Sequence, residues 1–352
     1  MSNNKVLLLG AAGYIGGAVL DALLRHPKVS ELDITAYVRS PEIASKVTAL
    51  GVNTVGGPAS VVEDAVSKAD IVINCANSDD VTFVETILVG AKRAYERTHV
   101  APVIINTSGA AVLSDGSMGQ PGDKVYDDLA DESFLAALPD TPRHRKADIL
   151  LAAAHKEGIV KAYNIIPSFV YGLATGRFVD AGIQNPVPTG FLLFDAIRQA
   201  RGPQGSFGRV GPGKNISNTV EIHDLAQFYL VMLYAILEGK ELAGGDAYYT
   251  QADGELTIEE WTQDIATAFQ EFGGADNADV TEITAEEHKR WPFLAPLGDN
   301  IRITDSRSRS LGWKPEHTSK DVAAKTRECV RVYIANGLDK QNKLLQWFGP
   351  RV

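Results

Sequence analysis

Three glycines stand at intervals of three in the run Gly10-Ala11-Ala12-Gly13-Tyr14-Ile15-Gly16. They follow the apolar residues Val6 to Leu9 directly, and a helix-period segment opens behind them. A strand-turn-helix of this kind can take a pyrophosphate: the first glycine permits the tight turn, the second lets the backbone approach the ligand, and the third lets helix and strand pack closely. Unpaired N–H groups and the helix dipole then face the negative charge. Gly10, Ala12, Gly13, Tyr14, Ile15 and Gly16 are therefore candidate contacts to a dinucleotide. The next strand end reads Tyr37-Val38-Arg39-Ser40, without the carboxylate that would hold the ribose hydroxyls of NAD. A guanidinium there can pair with a 2′-phosphate instead, so Arg39 points to NADP(H) as the cofactor. Two further strand ends, Asn74-Cys75-Ala76-Asn77 and Asn106-Thr107-Ser108-Gly109, bring small polar residues to the same edge. Asn74, Cys75, Ala76 and Thr107 can line ribose and nicotinamide there, although such residues are also ordinary turn formers.

The elements that must position these residues alternate. Residues 5–9, 32–38, 71–74, 103–106 and 162–166 read as strands buried on both faces, and 15–24, 61–67, 81–98 and 145–157 as helices between them. That order predicts an α/β fold, a Rossmann-type doubly wound parallel sheet over residues 1–171. After Gly172 the pattern loosens into Gly/Pro-rich loops with helices over 191–200, 222–237, 261–269 and 319–335, and Thr257 with Glu260 forms a capping box. Residues 172–352 are read as mainly a smaller C-terminal substrate lobe, with 216–240 returning to the main domain. Phe178, Phe191, Phe194 and Phe207 either enclose a substrate there or form core.

The chain of 352 residues has a formal net charge of −10, with Lys and Arg scattered, so no footprint for nucleic acid or an anionic membrane is visible. No apolar run reaches membrane-spanning length. Met1 to Asn4 lead straight into the first strand, which leaves no room for a signal peptide, and Cys75 and Cys329 have no metal or redox spacing. A cytoplasmic protein is expected, as monomer or homodimer, with a small-molecule substrate. The seven histidines show no metal-ligand spacing, so no metal is expected.

The chain resembles the extended or atypical short-chain dehydrogenases/reductases, nearest their fungal NmrA-like and epimerase-like branch. The resemblance is carried by residues 10–16 (GAAGYIG), 69–76 (ADIVINCA), 105–110 (INTSGA), 165–172 (IIPSFVYG), 220–226 (VEIHDLA) and 308–315 (SRSLGWKP). It implies that Ser108, with Thr107 beside it, binds the reacting carbonyl, and that Pro167 and Ser168 touch the cofactor. The family's YxxxK pair, a tyrosine acid/base with a lysine that lowers its pKa, is absent. His144 and Lys146 stand near its place, and the spacing to Asp148 aligns His144 with the motif's lysine. Tyr126 is a third candidate acid. Tyr171 reads as structural or pocket-lining, and His223 and Trp313 read as structural. These residues imply an NADPH-dependent reductase of a carbonyl, imine or conjugated alkene. The alternatives are an isomerase, epimerase or cyclase on the same fold, or an NADP(H)-binding redox sensor without turnover.

Overall fold

The computed structural model describes residues 3–202 and 204–341. Its centre is a seven-stranded sheet containing β1 (Asn4–Leu9), β2 (Leu32–Tyr37), β3 (Asn53–Val55), β4 (Ile71–Asn74) and β5 (Val103–Thr107). The strand Lys161–Pro167 extends it beyond β5, and Tyr248–Gln251 closes that side, giving the order 248–251, 161–167, β5, β4, β1, β2, β3. Every pairing within it is parallel. The strands are β-branched and apolar because both faces are covered. Val6 and Leu8 point into one core with helix α1 (Tyr14–Arg25) and the helix Ile222–Leu237. Leu7 and Leu9 point into another, with α3 (Ala59–Lys68), α4 (Val81–Thr98) and the helix Arg145–Lys156, while α2 (Pro41–Ala49) packs Val47 into the first core.

One buried polar row crosses this apolar sheet. Asn74 donates to Asn106 at 2.8 Å, Asn106 donates to Asn164 at 3.1 Å, and Asn164 donates to the Gly245 carbonyl at 3.3 Å. The three asparagines are direct partners in register on neighbouring strands. A one-residue slip would break every link of the row and turn each strand inside out, so the ladder and the apolar pattern select the same register.

A third core lies outside the sheet. The helices Thr189–Ala200, Ile258–Glu271 and Val322–Ala335 surround Phe191, Phe194, Phe207, Trp261, Phe269 and Tyr333. Phe191, Phe194 and Phe207 are packed in this core and Phe178 in the main one, so these aromatics are structural and do not line an open enclosure. A three-stranded sheet of Phe169–Tyr171, Ile216–Glu221 and Gly254–Thr257 joins the regions. Among the described residues no helix is long and apolar enough to cross a membrane.

Candidate active site at the strand ends

The glycine loop leaves β1 with Gly10 at a φ of 80°, and a Cβ there would lie 2.4 Å from the Cys75 carbonyl oxygen. A Cβ on Gly16 would lie 2.2 Å from the Gly10 carbonyl oxygen. Both contacts are far inside van der Waals range, so the turn closes against β4 and α1 only with glycine at these two places. Gly13 is the N-cap of α1, offers no side chain to the first-turn N–H groups, and is exposed. The helix start is thus open to an anion. Ala12 and Ile15 are half-buried beside it. Tyr14 is turned inward, its hydroxyl donating to the Gly172 carbonyl at 2.7 Å, so only its backbone belongs to the loop surface.

Arg39 follows β2 exposed, with no carboxylate at ion-pair distance among the described residues, while Ser40 caps α2 by accepting from the Ile43 N–H. At the end of β4 the Asn74 side chain is committed to the ladder and accepts from the Ala76 N–H at 3.2 Å, so it shapes the turn. Cys75 packs at the base of the loop, where burial pushes its thiol up to about 11, which keeps it protonated. Thr107 shares a 2.6 Å hydrogen bond with the buried Tyr229 hydroxyl. Ser168 donates to the Gln251 carbonyl at 2.8 Å, and Pro167 ends its strand, both buried.

Ser108 begins a denser constellation at the end of β5, two strands or roughly 10 Å from β1. Its Oγ donates to Asp148 Oδ2 at 2.7 Å, and Tyr248 donates to the same oxygen at 2.8 Å. Arg145 Nη1 in turn donates to the Tyr248 hydroxyl at 2.9 Å. Asp148 is fully buried, and burial pushes its carboxyl up to about 6 against the hydrogen bonds from Ser108 and Tyr248 and the charges of His144 and Arg145.

His144 packs against Gly109, the residue after Ser108. Its Nδ1 is 2.8 Å from Asp79 Oδ1 and 2.9 Å from Ser78 Oγ, and its backbone N–H donates to Asp79 at 3.0 Å. Burial raises the Asp79 carboxyl, but hydrogen bonds and charge from His144 and Arg143 outweigh it and hold the group well below the usual carboxylate range. An ionised carboxylate can only accept, so Nδ1 of His144 carries a proton toward Asp79. Nε2 lies over Gly109, where a Cβ would come within 2.9 Å of it. A recess of about 140 Å³ borders His144, lined in part by Ser78, Asp79, Arg143 and Lys146 and not by Ser108 or Gly109.

The structure thus brings Ser108 and His144 to one strand end. Lys146 is exposed at the rim of the recess, away from Ser108's hydrogen bonds. Tyr126 lies in a two-residue strand paired with Ile303–Thr304, stacked on Phe134 at 4.9 Å beneath the Lys124 ammonium. Asp79, Asp148 and Tyr248 carry no motif of their own. The four-residue spacing of His144 and Asp148 was the available signal, since it sets both at one end of a helix.

A Rossmann-type α/β protein with a glycine loop and a hydrogen-bonded cluster of polar side chains at one sheet edge is the class that fold and site define. Residues 10–155 match the family model described as NAD(P)H-binding. No curated protein matches the chain. Among solved structures, the dTDP-glucose 4,6-dehydratase of Bacillus anthracis in complex with NAD is similar at 16% identity, with a TM-score of 0.62 over 97% of this chain and 100% of that one. The UDP-glucose 4-epimerase of Bifidobacterium longum in complex with NAD+ and UDP gives 15% identity and a TM-score of 0.61, over 95% and 99%. The UDP-glucuronic acid 4-epimerase of Bacillus cereus gives 13% and 0.59, over 93% and 99%. At these identities the likeness is one of fold, and it spans both the main sheet and the outer lobe.

Proposed function

We propose that this protein is a nicotinamide-dinucleotide-dependent oxidoreductase of a small organic molecule, with NADP(H) its preferred nucleotide and His144 its proton-transferring group. The observation that carries the reading is His144 itself, oriented through Nδ1 by Asp79, with its Nε2 against Gly109, the residue after Ser108 at the end of β5. The side-chain-free turn at Gly10 and Gly16 and the uncapped start of α1 fit a pyrophosphate, and unpaired Arg39 fits a 2′-phosphate. When bound, the nucleotide supplies or accepts hydride. The chain orients the substrate oxygen at Ser108 and exchanges its proton at His144 Nε2. A nucleotide-dependent epimerase or isomerase is the second reading, favoured by the sugar-nucleotide enzymes that share the fold. Two unpaired cysteines suit a cytoplasmic protein.

Calorimetric titration with NADPH, NADP+, NADH and NAD+ tests the reading. Arg39→Ala should weaken NADPH binding about tenfold or more and leave NADH unchanged, as loss of a charge-assisted phosphate contact does. UDP-glucose and UDP-glucuronic acid serve as first turnover probes, and Ser108→Ala and His144→Ala should each lower turnover about a hundredfold without weakening nucleotide affinity. Absence of binding by all four nucleotides would overturn the oxidoreductase reading.

A further inference from the structure

We infer that Arg145, Tyr248 and Asp148 hold Ser108 as a hydrogen-bond acceptor, so that the site selects the hydroxyl form of its small-molecule substrate over the carbonyl form. The inference rests on the reading that Ser108 orients the substrate oxygen. A serine has one proton to give. Here it is given at 2.7 Å to a carboxylate oxygen that also accepts from Tyr248, and Tyr248 is free to donate because its own oxygen accepts from the Arg145 guanidinium.

The direction of the chain is set at its far end. Arg145 is buried, among the described residues with no carboxylate in hydrogen-bond contact, its other N–H groups going to the Leu138 and Ala136 carbonyls. A guanidinium has donors only, so the phenol must turn its proton toward Asp148, and Asp148 Oδ2 must accept. Asp148 Oδ1 is buried without a partner, so no second donor competes for the carboxyl. A substrate carbonyl would meet a lone pair at Ser108, whereas a substrate hydroxyl donates to it. Asp148 acts through Ser108 and is a positioning residue.

The polarity is read from the Asp148 carboxyl, which is faced by Ser108, Tyr248, His144 and Arg145. In full-length protein carrying 13C at the aspartate carboxyl carbons, resonances titrating near pH 6 are expected from Asp128 and Asp148, and Asp148→Asn should delete the second. If Ser108 donates, Ser108→Ala removes a bond to the ionised form and moves that midpoint upward by about one pH unit, and Tyr248→Phe does the same. If Asp148 donates instead, both variants move it downward. A downward or absent movement overturns the inference, and the two variants decide the matter even if Asp148→Asn does not fold. Nucleotide calorimetry on the same samples separates the two readings: unbound nucleotide with an upward shift sinks the oxidoreductase alone, and bound nucleotide with a downward shift sinks the polarity alone.

Discussion

His144 enters its helix with a φ of 68°, a left-handed conformation that histidine adopts at some cost. The cost is met by Asp79, which takes both the backbone N–H and Nδ1 of His144 on one oxygen and the Arg143 guanidinium on the other. Asp79 therefore fixes the backbone, the ring and the tautomer together. Asp79→Asn should abolish the preference for the Nδ1–H tautomer, visible in the 15N shifts of the imidazole. It should also destabilise the fold by about 1 kcal/mol, less than a buried charged hydrogen bond because a third of the side chain is open to water. The sign with pH follows from the lowered carboxyl: its stabilisation is complete above the ordinary carboxylate range near pH 4 and is lost as pH falls through the lower folded value. Urea midpoints of wild type and variant should accordingly converge in acid.

At the scale of elements, Tyr248–Gln251 is the strand on which the cluster depends, because it carries Tyr248 to Asp148. Asp128 anchors it, accepting from the Thr250 N–H at 3.0 Å and from the Arg307 N–H at 2.7 Å while fully buried. Asp128→Ala leaves two buried N–H groups unpaired, which should cost about 3 kcal/mol in thermal or urea unfolding. A loss below 1 kcal/mol would mean that other contacts hold the strand. This strand also shows where sequence reasoning stops. The alternation of the first five units is local, and the helices at 81–98 and 222–237 and the capping box at Thr257 are written in nearest neighbours, so they are legible. Tyr248–Gln251 is four residues long, and the strand it pairs with lies more than eighty residues earlier, where no periodicity points. The glycine loop was legible because one turn contains it. The Ser108–Asp148–Tyr248–Arg145 chain was not, because its members meet only when two strands and a helix have assembled. His144 was assigned by spacing to the place of a lysine, but at the helix N-cap it is Asp79, from the loop after β4, that defines its chemistry.

Across the whole molecule, the main sheet and the outer core meet through a joint at the start of the helix Ile222–Leu237. The Asp224 carboxylate accepts from the Glu316 N–H at 3.1 Å, the His317 N–H at 2.9 Å and His317 Nδ1 at 2.9 Å, and its backbone carbonyl accepts from the Trp313 indole at 2.8 Å. Glu221, one turn earlier, pairs with His223 and with Lys325 from the helix Val322–Ala335 of the outer core. The sheet of Phe169–Tyr171, Ile216–Glu221 and Gly254–Thr257 runs through the same place. Two cores that share a strand, a charged joint and a buried indole should unfold together, giving one calorimetric transition whose enthalpy matches its van't Hoff value. Asp224→Ala strips partners from two backbone N–H groups and one imidazole while leaving the three-stranded sheet intact. It should lower stability by about 3 kcal/mol and split the transition, the outer core melting first. A transition that stays single and moves by less than a degree would place the coupling in the strands alone, and the joint would then be a seam between regions that the sheet already holds.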